Sequence, residues 1–239
     1  MLNLTKSQIK KFQTKISNDP IYFATKVLGR NLWSKEVEIL EAIRDEREVA
    51  VRSCHASGKT YTAATAINWW LLSFPNSVVI TTAPTFRQVK EILWREIKGA
   101  VAGKALYPSK AMLDTAINIS ENWFALGLST DRSDQFQGFH SAHLLVVVDE
   151  ASGVPPEIYE AIDGLSPEKI LMIGNPLQNT GRFADSFKRA HVKKIHISAF
   201  DTPNVKAGKR LIPGLITVED VNKMRDYYGE DSDVIVCVS

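Results

Sequence analysis

The stretch Ser53-Cys54-His55-Ala56-Ser57-Gly58-Lys59-Thr60 joins a short apolar run, Val49 to Val51, to a segment long enough for a helix. Its residue types suit the holding of phosphate. A phosphate cradle needs a turn with inward-pointing backbone N–H groups, a helix N-terminus behind it, a lysine that reaches the outer phosphates and a hydroxyl for magnesium. Gly58 lets the backbone approach closely, Lys59 supplies the charge and Thr60 the metal ligand. The usual pattern opens on glycine; Ser53 stands there instead, and it is small enough for the turn. A helix that happens to begin Gly-Lys-Thr is the plain alternative, and the strand before it and the helix after it weigh against that.

Two further clusters carry chemistry. Leu144 to Val148 are consecutive apolar residues followed by Asp149 and Glu150. After such a buried strand Asp149 would hold magnesium, through water, and Glu150 would polarise the water that attacks a γ-phosphate. Adjacent acids after a strand are commonly solvated loop residues. Lying 90 positions after Lys59, they become the expected second half of one site. A glutamate beside the aspartate favours hydrolysis over transfer to a small acceptor. In Met172-Ile173-Gly174-Asn175-Pro176 the Asn175 amide would touch both the γ-phosphate and the attacking water; a plain Asn-Pro turn is the alternative.

These groups need strands and helices to position them. Residues 5–28 read as one or two short helices interrupted near Pro20, which restricts the residue before it. From Ser34, a plausible N-cap, Val37, Leu40, Ile43 and Arg44 fall at helical spacing. A helix is expected from Gly58 to about Leu72, a strand over 77–85 stopping at Pro84, and a helix from Phe86 with Val89, Ile92, Leu93 and Ile97 along one face. Shorter β segments are expected near Ala116–Ser120 and Asn122–Ser129, a short helix from Pro155, and strands over 169–174 and 193–200. Strands alternating with helices give an α/β fold with a mostly parallel, doubly wound sheet and helices on both faces. In such sheets ligands sit beyond the carboxyl ends of the strands. Ser53–Thr60, Thr82–Thr85, Asp149–Glu150 and Gly174–Pro176 all fall where a strand runs out.

The chain has 239 residues, 44% hydrophobic and 23% charged, ordinary for a soluble globular protein. No run of about 18 apolar residues exists to span a membrane, and the N-terminus lacks the apolar core of a secretion signal. Two cysteines, Cys54 and Cys237, give neither a disulfide framework nor a zinc spacing, which fits a reducing cytosol. A net charge of +2 neither demands nor excludes a nucleic-acid partner.

The ordered set RSCHASGKT, TTAPTFRQV, GLSTDRSDQFQGFHSAHLLVVVDEAS, ILMIGNPLQNTGRF and ISAFDTPNV resembles the ATPase half of a large terminase subunit, the DNA-packaging motor of tailed bacteriophages. The resemblance runs from about Leu32 to Asn204. It implies a P-loop NTPase of the branch with an additional catalytic glutamate. Lys59 and Thr60 would bind phosphate and magnesium, Asp149 complete the metal site, Glu150 act as catalytic acid, and Gly174-Asn175-Pro176 couple hydrolysis to DNA movement. ATP and magnesium are the implied cofactors. The implied partners are double-stranded DNA, a portal protein and a small terminase subunit. The implied state is a homo-oligomeric ring when active and a monomer in isolation, in the host cytoplasm and away from membranes.

The chain departs from the family pattern in places. His55 stands where relatives often carry arginine. An aromatic residue followed by glutamine often reads adenine; here Trp33 and Glu36 occupy that region, and a carboxylate cannot donate to the adenine ring nitrogen. Gln137 stands where many relatives have a trans-acting arginine, leaving Arg132 as the nearest candidate finger. The expected organisation is an N-terminal helical region over 1–33, an ATPase core over 34–203 and a lid or linker over 204–239, leading to a nuclease domain that the chain has no room for. ATP hydrolysis without DNA cleavage is therefore expected. A helicase-like translocase and a non-hydrolysing nucleotide-binding scaffold are the other readings. His140 and His143, three apart before a strand, make a poor metal pair. The basic tract over 187–194 is a better DNA candidate than the lysines near the N-terminus.

Overall fold

The computed structural model describes residues 5–229. Residues 1–4, and residues 230–239 with Cys237 and the end of the expected lid, lie outside the described residues. Seven strands form one sheet: β1 (Glu48–Ser53), β2 (Val78–Thr82), β3 (Ala116–Ser120), β4 (Trp123–Leu128), β5 (Leu144–Val148), β6 (Lys169–Gly174) and β7 (Lys193–Ile197), in the order β3-β4-β2-β5-β6-β1-β7. All pairings are parallel except β3 with β4, an antiparallel edge.

Both faces of the sheet are covered, which is why its strands are nearly continuous apolar runs. Val49, Val51, Leu145, Val147, Leu171 and Ile173 face one core, and Ala50, Leu144, Val146, Val148 and Met172 face the other. The first core holds the helices Ser34–Asp45 and Lys59–Ser73 and the helical segment 86–101; the second holds the helix Pro156–Gly164. Lys59–Ser73 is apolar almost all round and is buried along nearly its whole length. The N-terminal helix Lys6–Asn18 packs on it, where the Trp69 indole N–H donates to Ile16 O at 2.7 Å. Trp70 is equally buried and donates to His143 O at 3.1 Å. Arg30 ties the N-terminal segment down, donating to Tyr61 O at 2.6 Å and Thr65 Oγ1 at 2.8 Å and pairing with Glu96 at 2.6 Å.

Some local expectations are corrected. The helix expected to be capped by Ser34 begins one residue earlier in its cap: Trp33 is the N-cap, and Glu36 Oε2 accepts the Trp33 N–H at 3.1 Å. Ile92 does not join the apolar face of its helix; it is 46% exposed, because a π turn over Val89–Trp94 shifts the angular register. β2 ends at Thr82, short of Pro84, since Thr85 leaves the sheet to cap the next helix.

Candidate functional site

β1 delivers the chain to the loop at Ser53, and the helix behind it begins at Lys59. Two turns of backbone inside this loop are left-handed, at Ala56 (φ 49°) and Gly58 (φ 87°). The left-handed backbone at Gly58 favours glycine, and an added Cβ would also displace the Glu36 carboxylate packed against it. Non-glycine residues hold such conformations where the surroundings enforce them, commonly at ligand sites. Ala56 O accepts the Ile216 N–H at 2.9 Å, which pins the outer wall of the loop. Cys54, Ala199, Ile216 and Val221 form a small core beneath the helix Val218–Tyr228.

The sheet order brings the polar strand ends together. β6 lies between β1 and β5, so Asn175 falls between the loop lysine and the paired acids. Lys59 Nζ donates to Asn175 Oδ1 at 2.8 Å and lies 3.5 Å from Glu150 Oε1. Thr60 Oγ1 is 3.5 Å from Asp149 Oδ2. Three buried polar atoms on these segments have no protein partner: Ser53 Oγ, Ser57 Oγ and Asn175 Nδ2. Buried polar groups are costly to leave unpaired, so these three are available to a ligand at the strand ends.

Burial pushes the Asp149 carboxyl up to about 7, and the neighbouring Glu150 charge adds to this, against the opposing pull of Lys59. A cation at Thr60 and Asp149 would reverse that. Both offer hard oxygen atoms, and magnesium commonly takes one or two protein oxygens together with phosphate and water. Among the described residues no group of three or more His, Cys, Asp and Glu suits a metal by itself. Burial raises the Cys54 thiol to about 11, which keeps it protonated and inert. His55 is lowered by burial first and by Lys59 second, so it is neutral at pH 7.

Glu150 itself is left-handed, with φ 47° and ψ 46°. Its N–H donates to Asp149 Oδ1 at 2.9 Å. Beneath it, Gly174 packs so closely that an added Cβ would stand 2.9 Å from Ala151 N. The buried Tyr159 hydroxyl donates to Ala151 O at 2.7 Å. Sequence reasoning passes over Tyr159, because a bond across eight positions from helix to loop leaves no periodic trace.

Other sequence candidates sit differently. Glu36 is buried beside Gly58 and is raised to about 7, chiefly by burial, while Trp33 is buried with its indole N–H unpartnered. Arg132 is exposed and pairs with Asp134. Thr82 and Thr85 are not part of the polar cluster: Thr82 Oγ1 donates to Leu128 O at 3.0 Å, and Thr85 caps the following helix. Pro176 follows Asn175 into a turn in which Leu177 N–H donates to Asn175 O at 2.8 Å. His143 pairs with Glu168 at 2.9 Å. Lys193 and Lys194 are exposed at the amino end of β7, opposite the loop end of the sheet. No helix among the described residues is long and apolar enough to cross a membrane.

No family model matches the chain. A curated relative, a probable terminase large subunit of Enterobacteria phage P7, is 26% identical over 189 residues, covering 73% of this chain and 38% of that protein. The chain therefore spans well under half the length of this relative. Among solved structures, the large terminase ATPase domain of Thermus phage P74-26 superposes with a TM-score of 0.57 at 17% identity, covering 85% of this chain and 91% of that one. A large terminase from a thermophilic bacteriophage in complex with ADP gives a TM-score of 0.62 at 14% identity, covering 83% of this chain and 50% of that one. The likeness is thus to large terminases at both levels: a probable large terminase subunit in sequence and, in fold, a large terminase ATPase domain and half of a large terminase.

Proposed function

We propose that this chain is a magnesium-dependent ATP hydrolase, the motor domain of a large terminase that drives double-stranded DNA into a procapsid. The observation that carries this reading is the meeting of Lys59, Asn175, Glu150, Thr60 and Asp149 at the carboxyl ends of the neighbouring strands β1, β6 and β5, with Ser53, Ser57 and Asn175 each keeping an unpartnered polar atom on these segments. The loop Ser53–Thr60 would wrap the phosphates with its N–H groups, His55 and Ala56 forming its outer bend. Lys59 would neutralise the outer phosphate charge. Thr60 and Asp149 would hold magnesium, which offsets charge on the phosphate oxygens when bound. Glu150 would accept a proton from water while the water oxygen bonds to the γ-phosphorus; the bond to the bridging oxygen breaks, and ADP leaves with that electron pair. Asn175, hydrogen-bonded to Lys59, has an N–H free to touch the γ-phosphate or the water. Glu36, packed against Gly58, and Trp33, whose N–H donates to Glu36, would lie towards the base.

As a motor, the chain would work as a ring with DNA, a portal protein and a small terminase subunit, in the host cytoplasm. Arg132, exposed on the surface, would reach a neighbour's nucleotide, and Gly174-Asn175-Pro176 would relay hydrolysis to DNA. Residues 34–203 would be the ATPase core, with the helices before it as a support and the segment after it as a lid. A motor that grips any sequence contacts phosphates, so its DNA affinity falls steeply with salt. The test is ATP turnover with and without double-stranded DNA over a salt series, with Lys59→Ala as control. DNA-stimulated turnover that fades with salt and vanishes in K59A is expected. Turnover that survives K59A would overturn the nucleotide site, and turnover indifferent to DNA would overturn the motor.

A further inference from the structure

The left-handed backbone at Glu150 does not hold itself. Aspartate and asparagine visit this region with some ease, glutamate much less, so φ 47° must be imposed from outside. Within the turn, Glu150 N–H donates to Asp149 Oδ1 at 2.9 Å and Gly153 N–H to Glu150 O at 3.0 Å, and two other elements of the fold bear on it. From below, Gly174 on β6 lies against the Glu150–Ala151 peptide with no room for a side chain. From above, the Tyr159 hydroxyl donates to Ala151 O at 2.7 Å. Tyr159 is 6% exposed and stands on the helix Pro156–Gly164, packed in the same core as Val148, the residue that ends β5. The phenol thus measures the Glu150 loop against the core on which β5 itself rests. Burial raises this phenol well above its ordinary range, so it remains a donor at every working pH.

We propose that the Tyr159 hydroxyl is a positioning group for Glu150: by holding the Ala151 carbonyl it fixes the direction of the Glu150 carboxylate beside Lys59 and Asn175. This rests on the reading of Glu150 as the acid that activates water. A carboxylate moved by about 1 Å can lose on the order of 100-fold in rate while the phosphates bind as before.

The test is Tyr159→Phe, which removes one oxygen, assayed for ATP turnover below its melting transition. The expected result is a kcat about 10- to 100-fold lower, with KM for ATP within about twofold. Tyr107→Phe is the control. It also removes one buried hydroxyl, which donates to Asn68 Oδ1 at 2.8 Å on the far half of the loop helix, and its kcat should hold. In a Glu150→Gln background Y159F should lower the residual rate no further, because the two changes act through one group. An unchanged kcat in Y159F with a melting point lowered as in Y107F would overturn the inference and leave a structural bond only. An equal loss in the Glu150→Gln background would overturn it as well. Turnover indifferent to Glu150→Gln, or absent from the unmodified chain, would instead overturn the reading of Glu150, and this inference with it.

Discussion

Lys59 Nζ donates to Asn175 Oδ1 at 2.8 Å, a bond that spans 116 positions of sequence and crosses from the loop after β1 to the end of β6. The amide is used through its oxygen only, and Nδ2 is buried without a partner. One side chain therefore fixes the lysine and still offers a donor to whatever lies beside it.

Asn175→Ala removes both functions. Losing one preorganised donor at a reacting phosphate costs about 100-fold or more in kcat. Steady-state ATP turnover should show a fall of that order, with a smaller rise in KM, since Lys59 keeps its charge. Asn175→Asp should be no better, because a carboxylate would bind Lys59 and offer no donor.

Gly174→Ala tests the floor of the Glu150 loop. The added methyl would stand 2.9 Å from Ala151 N, a backbone atom that cannot swing aside. Overpacking of this kind costs about 1–3 kcal/mol. Denaturant melts should show a loss in that range, and turnover should fall with it because the strain lands on the peptide next to Glu150.

Glu36 makes a pH prediction. Burial raises its carboxyl from 4.5 to about 7 in the folded chain. Between those values the folded state holds a proton that the unfolded chain has released, so stability is highest at the acid end and falls as pH rises through the window. The loss at pH 8 is on the order of 3 kcal/mol. Glu36→Gln keeps an acceptor for the Trp33 N–H and carries no charge. Melts at pH 5 and pH 8 should show a smaller loss on going alkaline in E36Q than in the unmodified chain. Asp149 supplies a similar slope to both proteins, so the difference between them is the quantity to read. Equal slopes would remove Glu36 as a buried titrating group.

Much of this architecture is legible in the sequence because buried parallel strands are written as branched apolar runs that stop at polar clusters. β5 and β6 end just before Asp149 and Asn175, β1 ends on Ser53, and the helix behind the loop starts at the residue after Gly58. The edge is harder to read. β3 and β4 show only weak alternation, and their antiparallel pairing follows from a tight connection between Ser120 and Trp123 that periodicity does not weigh. Thr82 and Thr85 look like site residues from their position alone, yet their hydroxyls are taken up by Leu128 O and a helix cap. The strand-end rule locates a site without saying which side chains are free. The left-handed turn at Glu150 is invisible in one dimension, since it depends on Gly174 and Tyr159 arriving from two other elements.

The central claim is that Glu150 activates water at a nucleotide held by Lys59. Magnesium-dependent ATP hydrolysis, measured beside equilibrium ATP binding in the unmodified chain and in Glu150→Gln, tests it most directly. The expected result is that Glu150→Gln binds ATP within a few-fold of the unmodified chain and loses turnover by about 100-fold or more. Undiminished turnover in Glu150→Gln would contradict it.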